Sequence, residues 1–429
     1  MANVTRTEGP LLDPDSVVAG QLSNGLRVRL SAERNTPTVS YYTFFQVGSR
    51  NEGPGITGIS HLFEHMMFNG AARFGPKEFD RILEARGGSS NAYTSNDLTA
   101  YYEDFTSEAL ETVLDLEADR MRSLALTAET LEQERQVVKE ERRLRTENSV
   151  FGLMEEQLDA LLFLAHPYRW PVIGWMEDIE RITREDCLRF FRTYYAPGNA
   201  AIYAVGDLDP DATLAAIERA YGDIPAGPSP ASVAQGEPVQ RGERRAVVRY
   251  PSEAAALLMG WRGSSAKSTD SGALDVLQTV LGMGESSRLR RRLVETEELA
   301  VAVHVSFGWR IDPGVFFVFA ELTPGASPEK VERVLCEEIS RIASRGINAS
   351  ELRRAQRLLR SSVLHELATH NGVAHALGQA EALLGDWREA GRSFERYAAV
   401  QAKDVRRVAA DYIDLAKRCV VTMEPEGVR

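Results

Sequence analysis

The apolar positions of this chain change period several times, and each change marks an element. Residues Gly25–Leu30, Thr38–Val47 and Ala200–Gly206 read as strands, and Asn91–Phe105 is a further strand region rich in Thr and Tyr. Amphipathic helical periodicity runs through Pro76–Arg86, Thr106–Leu124, Ala128–Leu144, Phe151–Leu164 and Thr183–Tyr195. A Gly53-Pro54-Gly55 turn separates the second strand from helical pattern that starts at Gly58. Helices and strands alternate, yet several strands read as antiparallel, so the predicted class is α+β rather than a doubly wound parallel sheet.

From Pro225 to Pro238 the composition shifts to Pro, Gly, Ala, Ser and Gln, as in a linker. A new strand, Arg245–Tyr250, opens the second half. That half repeats the plan of the first. Thr57-Gly58-Ile59-Ser60-His61-Leu62-Phe63-Glu64-His65 overlays Ser271-Gly272-Ala273-Leu274-Asp275-Val276-Leu277-Gln278-Thr279 without a gap, and each ends near a glycine, Gly70 or Gly284. The expected organisation is therefore two homologous α/β-sandwich domains, mostly antiparallel sheet packed with helices, related by internal duplication. Their boundaries fall at 1–225 and 239–429, with 226–238 as linker.

A length of 429 residues suits two domains. The formal charge of −12 argues against nucleic acid or an anionic membrane as the main partner. Cys187, Cys336 and Cys419 lie far apart and show no zinc-ribbon or redox spacing, so thiols rather than a disulfide framework are expected. No apolar run reaches the roughly 18 residues of a membrane helix, and residues 1–20 lack the core of a signal peptide. The expected location is cytoplasmic if Met1 is the natural start, and periplasmic if a signal peptide has been removed.

The chemistry concentrates in His61-Leu62-Phe63-Glu64-His65. Two imidazoles four apart project from one helix face a turn apart, and Glu64 falls within the same third of the circumference. Two neutral imidazoles beside a carboxylate are what a catalytic zinc asks of one helix. The surrounding Ile59, Leu62, Phe63, Met66, Met67 and Phe68 predict burial, and a lone His there would read as a core residue.

A third ligand is needed, and Glu132, Glu134, Glu140, Glu141 and Glu147 crowd one segment. At about 100° per residue, Glu141 lies among Val137, Val138 and Leu144, in the middle of an apolar stripe, with Glu134 two turns earlier on the same line. A carboxylate there is costly unless it is paired with a cation. Zinc would serve, making Glu141 the candidate ligand and Glu134 a partner that orients a histidine. The alternative is a salt bridge between helices, to Arg50 or Arg120. Zinc rather than manganese or cobalt follows from the His₂Glu donor set.

These residues resemble the pitrilysin/insulysin/mitochondrial processing peptidase family, zinc metallopeptidases with the reversed His-x-x-Glu-His order, and the resemblance spans nearly the whole chain. Glu134-Arg135-Gln136-Val137-Val138-Lys139-Glu140-Glu141 is similar to the family's Glu-Arg-x(5)-Glu. Gly87-Gly88-Ser89-Ser90-Asn91-Ala92-Tyr93-Thr94, continuing to Thr99 and Tyr101, resembles its substrate-binding edge strand. His166-Pro167-Tyr168, Pro171-Val172-Ile173-Gly174, Tyr195-Ala196-Pro197 and Gly206-Asp207 are also family-like. The resemblance implies an endopeptidase of short or unfolded peptides, with one zinc per chain held by His61, His65 and Glu141. Glu64 would be the general base, taking a proton from the attacking water and passing it to the leaving amine. Asn91, Ala92, Tyr93 and Thr94 would hold the peptide by β-augmentation.

One departure stands out. Active single-chain relatives carry, in the second half, an Arg and a Tyr seven apart that contact substrate. Here Ser286-Ser287-Arg288-Leu289 keeps the upstream marker, while Val294 and Val301 replace the pair. The expected partner is a related subunit that lacks the zinc motif and supplies Arg and Tyr. A self-sufficient homodimeric processing peptidase and a non-catalytic structural or assembly subunit are the alternatives. His365-Glu366-Leu367-Ala368-Thr369-His370 only mimics a zinc motif, because histidines five apart diverge by about 140° on a helix.

Overall fold

The computed structural model describes Asp13, residues 16–233 and residues 236–426. Among the described residues eleven strands form two sheets: β1 (Val17–Gln21), β2 (Arg27–Ala32), β3 (Thr38–Phe45), β4 (Ser89–Thr94), β5 (Thr99–Thr106) and β6 (Ala200–Gly206), then β7 (Arg244–Pro251), β8 (Ala256–Arg262), β9 (Ala300–Phe307), β10 (Val315–Leu322) and β11 (Cys419–Glu426). The first sheet runs β1-β2-β6-β3-β5-β4 and the second β7-β11-β8-β10-β9. Only β2–β6 and β7–β11 pair in parallel. Set β1 aside and the two sheets have the same order, with first and last strands in chain order lying side by side and parallel. The expected duplication is thus written in the connectivity, and the α+β class with mostly antiparallel sheets holds.

Three local expectations change. Asn91–Phe105 is two strands, β4 and β5, folded back through Ser95–Leu98 with Ala92 opposite Tyr101. β1, mostly exposed and ending at Gly20 and Gln21, carries too weak an alternation to be read as a strand. The Ala128–Arg142 helix does not bury Val137 or Leu144, which are 49% and 71% exposed. Its buried line is Leu131, Arg135, Val138 and Arg142. Helical phase misses this because two guanidiniums lie inside, Arg142 against Glu156 at 2.8 Å. Beyond Arg142 the chain also winds as a π-helix, Arg143–Glu147, so a step of about 100° no longer applies to Leu144.

The compact units are discontinuous, unlike a contiguous division at 226–238. One comprises residues through Gln136, Val172–Ser232 and Val363–Glu395; the other comprises Val137–Pro171, Val233–Ser362 and Arg396 onward. Among the described residues, 225–243 carry no helix or strand.

In the first unit the helix His370–Gln379 covers one face of the sheet: Asn371 accepts from Tyr42 at 2.9 Å and donates to Asp104 at 2.8 Å. Just beyond it, buried Glu381 binds Arg27 and Arg29 at 3.0 Å each and the Tyr203 hydroxyl at 2.8 Å. In the second unit Val150–Leu162 plays the equivalent part, with Met154, Leu158 and Leu162 packed on Leu258, Phe319, Val421 and Met423. Its N-terminus is capped by Ser149, whose hydroxyl accepts from Gly152 N at 3.2 Å. Each sheet is therefore closed by a helix from the other half of the chain, a long-range exchange that local periodicity cannot reveal.

Candidate metal centre

The histidine motif lies on the helix Ile59–Met66, which follows β3 and a tight loop. Gly58, at φ +87°, turns the chain into the helix, and a Cβ there would sit 2.4 Å from the Ile173 carbonyl oxygen. Gly174 faces it, with Thr57 O equally close to its own missing Cβ. Only paired glycines let these two backbones cross.

Leu62, Phe63 and Met66 are buried, Phe63 against the rings of Phe190, Phe191 and Tyr195, which fixes the rotation of the helix. The Tyr101 hydroxyl, from β5, donates to Phe63 O at 3.1 Å. Burial, with the nearby Glu64 charge adding to it, holds the Tyr101 and Tyr195 phenols neutral. His61 is 8% exposed, whereas Glu64 and His65 are half-buried. The two imidazole rings lie 5.0 Å apart, close to perpendicular.

The helix Ala128–Arg142 brings in the carboxylates. One donor atom from each of His61, His65 and Glu141 lies within 4.8 Å of the others. That spacing and a two-imidazole, one-carboxylate donor set fit a zinc ion. Glu134, two turns before Glu141, accepts from His65 Nδ1 at 3.4 Å, which leaves Nε2 to face a metal. The hydrogen bond to His65, with a smaller one from Asn69, holds the Glu134 carboxyl below the usual carboxylate range. Glu141 also meets Arg145, one turn on, at 2.9 Å. Arg50 pairs with Asp97 at 3.2 Å, and Arg120 with Glu117 and Glu103 at 2.6 and 3.3 Å.

The predicted peptide strand, β4, is the last strand of its sheet and pairs only with β5. Its residues divide between two faces. Ala92 is opposite Tyr101 and so shares the face of the histidine helix, with Ser90 and Thr94 in phase. Asn91 and Tyr93 point to the other face, where the Tyr93 hydroxyl accepts from Gln379 at 2.9 Å and its ring packs on His375. His365 and His370 fall in separate helices.

Several residues that hold this centre have no role legible in the sequence. Glu52, only 8% exposed, accepts from Gly58 N and Ser60 N at 2.8 Å each, capping the histidine helix. Burial raises its carboxyl to about 8 despite those donors. Asp178 accepts from the Thr57 hydroxyl at 2.7 Å and from the Thr57 and Gly55 amides. A carboxylate in Gly48-Ser49-Arg50-Asn51-Glu52, shortly before a helix, was the available signal, but capping across an intervening turn has no local signature.

In the second unit, the equivalent helix Ser271–Gly282 is buried on nearly all sides. Asp275 and Thr279 stand where His61 and His65 would fall. Asp275 accepts from the Trp309 indole at 3.2 Å, and Thr279 donates to Asp275 O at 2.8 Å.

The duplicated mixed sheets thus come with a two-histidine, one-glutamate donor set whose chemistry fits a zinc ion. The sequence comparisons give the family. Residues 27–173 match "Insulinase (Peptidase family M16)" and residues 181–359 match "Peptidase M16 inactive domain". The chain is 31% identical to the zinc protease PqqE of Helicobacter pylori, across 94% of this chain and 92% of that one. An uncharacterized zinc protease of Mycobacterium leprae is 30% identical over 90% of this chain and 87% of its own length. A crystal structure of a protease from Helicobacter pylori superposes with a TM-score of 0.92 at 29% identity, covering 95% and 99% of the two chains. The chain belongs to peptidase family M16, the pitrilysin/insulysin/mitochondrial processing peptidase family. Metal-dependent peptidase activity in general accords with that family and with the His₂Glu cluster. Among the described residues no helix is long and apolar enough to cross a membrane.

Proposed function

We propose that this chain is the metal-bearing subunit of a zinc endopeptidase that cleaves short or unfolded peptides. The observation that carries the reading is the convergence of His61, His65 and Glu141 donor atoms within 4.8 Å, with Glu64 on the same helix as both histidines. His61, His65 and Glu141 hold the ion, and Glu134 fixes the His65 ring and its tautomer. When bound, zinc supplies Lewis-acid polarisation of the scissile carbonyl and acidifies the attacking water. Glu64 takes the proton from that water and delivers it to the leaving amine. An extended peptide adds to the outer side of β4, with Ala92 and Thr94 on the face towards the histidine helix and Asn91 and Tyr93 behind. A purely structural subunit has no use for four such residues in register.

A second, related chain without the metal motif supplies the missing Arg and Tyr. Val294 is partly buried against the second unit's core. Val301 is 55% exposed on β9, the last strand of its sheet, at a bulge where Ala300 and Ala302 pair with successive residues of β10. Bulges re-aim side chains at functional sites, and here an apolar one is presented. The same observation is open to a homodimer, which sedimentation analysis of the purified chain distinguishes. Full-rate peptide cleavage by this chain alone, with no gain from a related partner, would refute the two-chain arrangement.

Metal analysis with peptide cleavage for wild type and Glu64→Gln tests the central claim. Both proteins should hold about one zinc per chain, with cleavage by the mutant reduced by about 10²–10⁴-fold. Unchanged cleavage overturns the role of Glu64, and absence of zinc from the wild type overturns the metal assignment.

A further inference from the structure

The two helices that carry the candidate ligands touch a common third segment, and this contact has a defined chemistry at each end. The segment is Trp175–Ile182, built around the short helix Met176–Arg181. At its N-terminal end Trp175 N donates to the Thr57 hydroxyl at 3.0 Å, and that hydroxyl donates onward to Asp178 at 2.7 Å. The Thr57 and Gly55 amides point at the same Asp178 oxygen, at 3.3 and 3.2 Å. Thr57 lies two residues before the first turn of the histidine helix. At the C-terminal end the segment exposes the carbonyls that any helix leaves unpaired. Arg135 fills them: its guanidinium donates to Ile182 O at 2.8 Å and to Ile179 O. Arg135 is 9% exposed and immediately follows Glu134 on the glutamate helix.

We infer that Asp178 and Arg135 are positioning residues of a bracket that sets the separation between the His61–His65 helix and the Glu134–Glu141 helix. The inference rests on the metal-centre reading above. Neither residue reaches the reacting atoms. Each binds one helix to the Met176–Arg181 segment through several hydrogen bonds, and Arg135 makes its bonds with a planar fork that lysine cannot reproduce. Thr57 and Arg135 sit within four residues of His61 and one of Glu134, so slack in either joint is transmitted directly to a donor atom. A metal site tolerates displacements of only about 0.2 Å in its ligand distances.

The geometry also separates the two joints. Thr57 and the two amides need only an acceptor at Asp178, so Asp178→Asn, which keeps one, should behave nearly as wild type. Asp178→Ala removes the acceptor for all three donors. Arg135→Lys keeps charge but loses the double carbonyl contact. Arg135→Met loses both.

Zinc affinity of the metal-free, folded protein, read by competition with a chromophoric chelator, provides the test, with circular dichroism reporting that each variant is folded. Asp178→Ala and Arg135→Met should each weaken zinc binding by about 10–100-fold, and the double variant should be no weaker than the worse single one, because either change opens the same bracket. Asp178→Asn should restore affinity to within about threefold of wild type, and Arg135→Lys should fall between. Unchanged affinity in folded Asp178→Ala or Arg135→Met overturns the inference, as does a fully additive double variant with a matching loss of melting temperature, which is the mark of a general structural role. If wild type itself binds no zinc, the metal-centre reading fails instead, and the two failures are distinguishable.

Discussion

The two sheets share, β1 aside, one strand order and a helix after their second full-length strand, yet only the first of these helices carries the histidine pair of the candidate metal centre. The difference lies in the side chains and, at the position of His65, in exposure to solvent. In the first unit the histidine helix buries Leu62, Phe63 and Met66 but leaves Glu64 and His65 half-exposed at its rim. In the second, Thr279 stands fully buried in the place of His65, while Asp275 is as buried as His61 and Gln278 is half-buried like Glu64. A catalytic ion needs an open position for water and substrate, which a fully buried position cannot give. The second unit therefore commits the same polar positions to internal hydrogen bonds, Asp275 to Trp309 and Thr279 to the backbone.

The contrast can be broken most severely at the histidines. His61→Ala should take the protein from about one zinc per chain to none, whereas Asp275→Ala should leave that stoichiometry unchanged; plasma mass spectrometry of both variants checks it. Zinc lost from Asp275→Ala would mean that the two helices are not chemically distinct. A smaller effect probes the deficit of the second unit. The double substitution Val294→Arg and Val301→Tyr should raise peptide cleavage by the isolated chain about tenfold, or about 1.4 kcal/mol of transition-state stabilisation. Assays with and without a partner chain then show whether the gain replaces the partner's contribution. No gain would place the missing polar pair somewhere other than β9 and the π-helix Arg290–Thr296.

The smallest effect sharpens the comparison through pH. Burial raises the Asp275 carboxyl to about 7. A raised acid stabilises the fold fully below its unfolded value of about 3.9 and loses that contribution as pH climbs through about 7. Asp275→Asn keeps an acceptor for Trp309 but has no such titration. Its melting temperature relative to wild type should therefore rise between about pH 4 and pH 7, by about a few degrees, and stay level above. Calorimetry across that range reads it, and a flat difference would remove the buried carboxyl from the account.

Much of the site is legible in the residues alone. The histidine spacing on one helix names the donor set, and helical phase places Glu134 and Glu141 on one line of the Ala128–Arg142 helix. Phase misjudges the surroundings of that line. Val137 and Leu144 read as buried because apolar residues usually are, while the buried positions belong to Arg135 and Arg142, whose partners come from segments distant in sequence. Likewise the Asn91–Thr94 strand is visible as strand, but not which of its side chains face the histidine helix, because that depends on pairing with β5.

What the sequence by itself determined is therefore local and chemical: element types, the internal repeat, the ligand types and their order along each helix, and the absent polar pair at Val294 and Val301. Those follow from periodicity and side-chain identity, which act over a few residues. Only the tertiary structure decided which helix closes which sheet, in which copy of the repeated helix the position of His65 meets solvent, and how Asp178 and Arg135 tie the ligand-bearing helices to one segment. Each of these depends on a partner tens to hundreds of residues away, and hydrogen bonding and burial select that partner only when the whole chain has packed.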